Sequence, residues 1–300
     1  MRYLPIVAIS FLVVGCDQLT ATVSAGSLLT QTPDLANAEA MPAGLAQALP
    51  LGDLQLKAGV SVLVAAGERT SSTSTAAPEP IVDAQVILAW TDKQISVCTV
   101  ATAGAEGTYQ SSNIANPSDC GNPLLEYVEE ETYITRIETG SDLYSLSVTA
   151  PVPIAAPFVV LSPLTAAADH FGASLPSHPR TTALSVDWGA DPDLGERHAF
   201  VTLGRIRYIG GAGDALLASS WQADPEPVWD NFPRTASEMI EVVGSDPTTD
   251  ATIEASSFDV TGAYILVITT TEISDVVSTN LFLGSNALAG AGTAFIFWVD

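Results

Sequence analysis

The chain has 300 residues, with 34 Asp and Glu against 10 Lys and Arg and a formal charge of −24. So acidic a surface repels nucleic-acid phosphates and anionic lipid headgroups, which argues against a DNA or RNA partner and leaves cations or basic partners open. Apolar residues make up 47% of the sequence, enough to bury real cores, so disorder over the whole length is excluded.

Arg2 precedes the short, almost uncharged run Tyr3–Gly15, which has the shape of a secretory signal and is too short to span a bilayer comfortably as a helix. It ends in "LVVGC", with Cys16 as the last residue. This stretch resembles the lipobox of bacterial lipoproteins, with an aliphatic residue at −3 and a small one before the cysteine. The resemblance implies cleavage before Cys16, a diacylglycerol on its thiol and acylation of the new N-terminus, for example with palmitate. More than one acyl chain anchors stably where a single chain is reversible. The expected setting is therefore the bacterial cell envelope, outside the cytoplasm, at the outer membrane in preference to the inner. Asp17 in the next position resembles an inner-membrane retention signal of enterobacteria, but other bacteria read different rules, so the leaflet stays open.

From residue 16 to about residue 51 the chain is small and polar with scattered prolines, the composition of a stalk, and "PDLANAEAMPAGLAQAL" within it admits a short helix. Alternation then begins. Strands are predicted over "LKAGVSVLVAAGE", over "IVDAQVILAWTD" with Val82, Ala84, Val86 and Leu88 on one face, and over "QISVCTV". Others follow over "EGTYQSS", "LLEYVEEETYITRIETG" and "DLYSLSVTAPVP". Short strands at turn-punctuated spacing predict a β-sandwich over residues 52–154.

The series "VDAQVILAW … GTYQSS … YVEEETYITRI … DLYSLSVTAPVPI" resembles the Ig-like sandwich modules of bacterial surface lipoproteins. These include carboxypeptidase-regulatory-like modules and the N-terminal region of DUF4249-type lipoproteins. The similarity spans Gly59–Ile154; the glycine those modules place before the third tyrosine is missing, since this chain has "EEETY". It implies an Ig-like fold and an extracytoplasmic setting, and it carries over no catalytic residue.

"APVPIAAP" marks a stiff, exposed connection. Beyond it, residues 158–300 read as a second sandwich-like domain with long loops. Strands are expected in "FVVLSP", "TTALSVDWG", "ERHAFVTLGRIRYIGG", "ATIEASSFDV", "GAYILVITTTE" and "GTAFIFWVD", and short helices in "RTASEMIEVVG" and "LTAAADHFGASLPSHPR". The final strand is apolar on both faces, with Phe295, Phe297 and Val299 against Ile296 and Trp298, which predicts a central or covered position.

With Cys16 lipidated, Cys98 and Cys120 remain as an even pair in an oxidising compartment, and a structural disulfide between them is expected, worth roughly 3 kcal/mol. His170, His178 and His198 lack the spacing of a zinc site, and no Gly-x-Ser-x-Gly elbow nominates a serine nucleophile. The acidic loop "DWGADPDLGE" offers Asp187, Asp191, Asp193 and Glu196 as oxygen ligands for Ca²⁺, without the order of an EF-hand. "VEEE" (Glu129–Glu131) reads as a charged edge, and the glycines of "GRIRYIGGAGDALL" as a turn, not a phosphate cradle. Trp221 and Trp229 bracket a loop and could form an aromatic patch for a sugar or peptide, or anchor that loop to its domain. No catalytic residue and no cofactor is nominated. The reading is a non-enzymatic, membrane-anchored binding or structural module with an unidentified protein or carbohydrate partner. Its alternatives are a secreted hydrolase with a site spread over second-domain loops, and a self-associating surface component.

Overall fold

Period-two alternation makes strands of much of the described chain. The computed structural model is all-β; it describes residues 21–32, 59–100, 103–113, 115, 117–153, 160–170, 173–188, 197–205, 226–273, 276–278 and 280–300. Among the described residues, hydrogen bonding joins fifteen strands in one continuous sheet and three in a second, a β-sandwich-type arrangement with two cores.

The first core forms between two layers. One contains β1 (Val23–Gln31), β2 (Val60–Glu68) and β6 (Thr108–Ser112), with the two-residue β3 (Glu79–Pro80) on the β2 edge. The other contains β4 (Gln85–Trp90), β7 (Thr132–Thr139) and β8 (Asp142–Thr149), extended by β17 (Val276–Val277). β5 (Lys93–Thr99) turns the corner: Lys93–Val97 pair with β4, while Cys98 and Thr99 pair with β6. Alternation then decides what is buried. Val60, Val62 and Val64 of β2 meet Val86, Leu88, Ile137 and Leu146 of the facing layer. Val82 lies ahead of β4 and is 46% exposed, so the predicted apolar face holds for Val86 and Leu88, with Ala84 half-buried against the same core and Trp90 joining them. The β7–β8 hairpin turns at Gly140, whose φ of +58° is one that side-chain-bearing residues rarely adopt.

β1 corrects the expectation of a stalk for its nine residues. Val23–Gln31 is a central strand, antiparallel to β2 and parallel to β18 (Asn286–Val299). "VSAGSLLTQ" has small polar residues where alternation would be looked for, because both faces are covered. Val23, Ala25 and Leu29 enter the first core, while Gly26 and Leu28 lie beneath α1 (Ala236–Gly244). At Gly26 a Cβ would stand 3.0 Å from Val243 Cγ2, so the missing side chain lets the helix sit close. The helix starts with a capping box: Thr235 Oγ1 accepts from Glu238 N (3.2 Å) and Glu238 Oε2 accepts from Thr235 N (3.2 Å).

The second core lies between the far part of the large sheet and the three-stranded sheet of β15 (Asp250–Ile253), β12 (Leu184–Asp187) and β9 (Val160–Ser162). The large sheet contributes β13 (His198–Arg205), β16 (Gly262–Ile273) and the end of β18, with β14 (Glu226–Asp230) on the β13 edge. The segment "LTAAADHFGASLPSHPR", expected to hold a short helix, is instead a hairpin of β10 (Thr165–His170) and β11 (Ala173–His178), and β11 pairs with the end of β18, whereas the helix admitted in "PDLANAEAMPAGLAQAL" lies outside the described residues. Similarly, "ATIEASSFDV" is a strand only to Ile253, after which Ala255–Ser257 form a 3₁₀ turn.

β18 unites the two cores. It has 14 residues, about 45 Å of extended chain. Its register with β16 is unbroken, so Ala287 and Ala289 in the first core and Phe297 and Val299 in the second lie on one face. Leu288, on the other face, packs under α1. The end of the chain, "GTAFIFWVD", is covered as expected: β16 pairs along one edge, and β11 pairs with Trp298 and Val299 on the other.

The expected disulfide is not formed. Cys98 and Cys120 come within 2.6 Å but are not bonded, whereas a disulfide needs about 2.05 Å between its sulfurs. Cys98 is fixed by the strand that changes layers, and Cys120 follows the Pro117–Asp119 turn with a φ of +64°.

Candidate functional site

A concavity among the described residues follows from the alternation of β1 and β2. Residues that do not enter the first core point to the opposite face, where the register places Leu28 opposite Leu63 and Thr30 opposite Ser61. β6 continues the rows, with Gln110 opposite Leu63 and Thr108 opposite Ala65. α1 covers only part of this face. Beside it Phe232, Pro233 and Arg234 stand over the strands on one side and Val100 and Ala105 on the other, leaving a groove of about 450 Å³. That is within the usual range of small-molecule sites.

Rigid elements hold its walls. Phe232 stacks on Phe200 with ring centroids 5.0 Å apart, and its backbone N donates to Asp230 Oδ1 (3.2 Å). Arg234 leads into the capping box, its N donating to Glu238 Oε2 (2.8 Å), and its guanidinium donates to Asp230 Oδ2 (2.9 Å). Two of the groove's hydroxyls are engaged: Thr108 Oγ1 donates to the Ala105 carbonyl, and Thr32 Oγ1 donates to the Gly59 carbonyl (3.1 Å). The side chains of Thr30, Ser61 and Gln110 make no hydrogen bond among the described residues, and they line the same groove. The site is therefore an apolar floor of Leu28 and Leu63 with an aromatic wall, neutral donors and acceptors, and one cation.

The sequence-predicted site residues fall elsewhere. Cys16, Asp191, Asp193, Glu196 and Trp221 lie outside the described residues. Asp187 ends β12 at the surface, opposite Asp250, and among the described residues no group of three or more His, Cys, Asp and Glu side chains is placed to hold a metal. Trp229 lies in β14 and is partly buried against the second core. Glu129 and Glu130 are exposed, and the half-buried Glu131 accepts at Oε1 from Thr91 N (3.2 Å).

Two histidines are buried. His178 has no exposed surface; Nδ1 stands 3.0 Å from the Pro163 carbonyl and Nε2 2.9 Å from that of Thr182, with the Phe258 ring 4.6 Å away. His198 is 5% exposed, and its Nε2 has no partner among the described residues. Burial holds the His198 imidazole below its ordinary pKa, opposed by the Ser245 backbone and the Asp246 charge. Glu126 is held low first by the Lys93 ammonium (2.5 Å) and then by the Trp90 indole N–H (3.2 Å). Burial pushes Tyr133 up to about 12; its hydroxyl donates to the Glu126 carbonyl (2.8 Å) and accepts from Val128 N (2.8 Å). Each of these groups is bound into the scaffold, and none lines the groove.

Sequence reasoning passed over the groove because its parts are separated by up to about 200 residues and none is unusual by itself. One signal was present: "VSVLVAAGE" is apolar on both faces, so its second face needed a cover. No protein-family model matches the chain, and no curated protein is significantly similar to it.

Proposed function

We propose that this chain is a non-enzymatic binding module of the bacterial envelope. It is anchored by lipid at Cys16 and folded on Ig-like sandwich lines. What supports the address is the "LVVGC" sequence; what carries the binding reading is the groove beside α1. The groove combines apolar contact area with uncommitted neutral polar groups on a stiff framework, the composition of a recognition site. In this reading the sandwich supports the site and the lipid holds it at the membrane.

The binding half is tested with anilinonaphthalene sulfonate, which fluoresces when it enters an apolar site. The wild-type chain is expected to bind it saturably, and Ser61→Tyr, which fills the groove from a strand position that tolerates an aromatic ring, to abolish that signal at unchanged Tm. Equal fluorescence from both proteins would overturn the reading. Intact mass of the envelope-fraction protein tests the address. The expected species lacks Met1–Gly15 and carries diacylglycerol and acyl mass, and an unmodified Cys16 would remove the anchor from the proposal.

A further inference from the structure

We infer that the groove takes a small ligand with an apolar body and a single carboxylate head, of the medium-chain monocarboxylate class. This rests on the groove being a binding site, and three observations give it direction. In a chain of charge −24, no Asp or Glu lines the groove among the described residues, and the one charged lining residue among them is the cation Arg234. The Arg234 side chain is 75% exposed and engages Asp230 through Nη2 alone at 2.9 Å. A guanidinium has five N–H donors in a planar fork, so donors remain for a second carboxylate. In the same groove Thr30, Ser61 and Gln110 supply hydroxyl and amide groups with no hydrogen bond among the described residues, while Leu28 and Leu63 form an apolar floor for a hydrocarbon chain.

The physical selection is by sign. A carboxylate here replaces water around Arg234 with a charge-assisted hydrogen bond, whereas an ammonium head meets a like charge and finds no carboxylate among the described lining residues. An uncharged head keeps the apolar contacts and loses the ionic one. At about 450 Å³ the space suits a single small molecule and is too small for a docked helix or domain, so a chain-like monocarboxylate is the occupant the dimensions favour.

The test is calorimetric titration with octanoate, octan-1-ol and octylammonium against the wild-type chain, Arg234→Gln and Ser61→Tyr. Binding that Ser61→Tyr abolishes is assigned to the groove. Octanoate is expected to bind there most tightly, Arg234→Gln to weaken it roughly two- to fivefold without changing octan-1-ol, and added salt to narrow the gap. Octylammonium binding in the groove as tightly as octanoate would overturn the inference, as would octanoate affinity unchanged by Arg234→Gln. Octan-1-ol matching octanoate would remove the charge selection and leave the groove as a binding site. If no probe binds in a way that Ser61→Tyr abolishes, the binding reading falls, and this inference with it.

Discussion

The two cores share β18 but are built from different side chains. In the first, aliphatic residues from facing strands fill the interior, and tyrosines fasten its margin to backbone. Tyr109 donates to the Ile81 carbonyl (2.7 Å) and accepts from Ala84 N (3.1 Å), while Tyr133 spans Glu126 and Val128. In the second, Phe258, Tyr264 and Phe297 form a ring cluster with His178, their centroids 4.6–6.3 Å apart. The contrast follows from chain order. Hairpins close in sequence lay out most of the first core, so local turns set its registers, and short tyrosine bonds tie loops to strands. The second core brings β9, β12 and β15 together over about ninety residues, and large rings supply contact area where hairpin connections do not. Among the described residues two histidines are buried: His178 in the ring cluster, and His198 at the start of β13 on the face of Phe200, beside Ser245 and Asp246 at the end of α1.

The sharpest way to break this comparison is at the shared strand. Phe297→Ala empties ring volume from the second core and is expected to cost about 3–5 kcal/mol. Because β18 continues into the first core, amide exchange should quicken across both halves, and acceleration confined to the second would show that the strand does not couple them. Tyr133→Phe tests the first core. It strips Val128 N–H of its acceptor and Glu126 C=O of its donor, with an expected loss of about 1–3 kcal/mol measured by denaturant melts. An unchanged midpoint would refute the fastening role. Thr235→Ala removes the cap of α1, the element that covers the other face of the large sheet; about 1 kcal/mol is expected, with Thr235→Ser restoring most of it.

The smallest effect concerns pH and falls on the α1 face of β13, outside both cores. His198 has a lowered folded-state pKa, so below the ordinary histidine value near 6.5 the unfolded chain takes up a proton that the folded chain resists. Its contribution to stability is therefore present above about pH 6.5 and lost as pH falls from there toward the folded value. Stability measured from pH 7.5 to 5.5 should fall less steeply in His198→Asn than in the wild type, and parallel curves would show that this imidazole does not titrate differently on folding.

Strand identity was legible wherever one face is buried and the other wet. "DLYSLSVT" announces Tyr144, Leu146 and Val148 as inward residues, and they are. The capped helix was readable too, because Thr235 and Glu238 stand three apart ahead of an apolar run. Legibility failed where neighbours on both faces relax the pattern. Val23–Gln31 needs small residues because a helix lies on one side and a core on the other, and its composition alone is that of a linker. The cysteine pair failed differently, since an even count and a suitable compartment say nothing about the approach of two sulfurs. The groove was the least readable, being composed of the outward rows of three strands and a loop from much later in the chain.

Composition and short-range order, on their own, determined the all-β class, the acidic surface, most strand positions and the capped helix. These depend on side-chain period and on contacts a few residues apart. Tertiary structure decided that the first and last strands lie parallel side by side, that one strand serves two cores, and that Leu28, Leu63 and Arg234 meet at one groove. Those are pairings between distant segments, and their selection depends on which apolar faces find cover in the assembled fold, a quantity no local window of sequence contains.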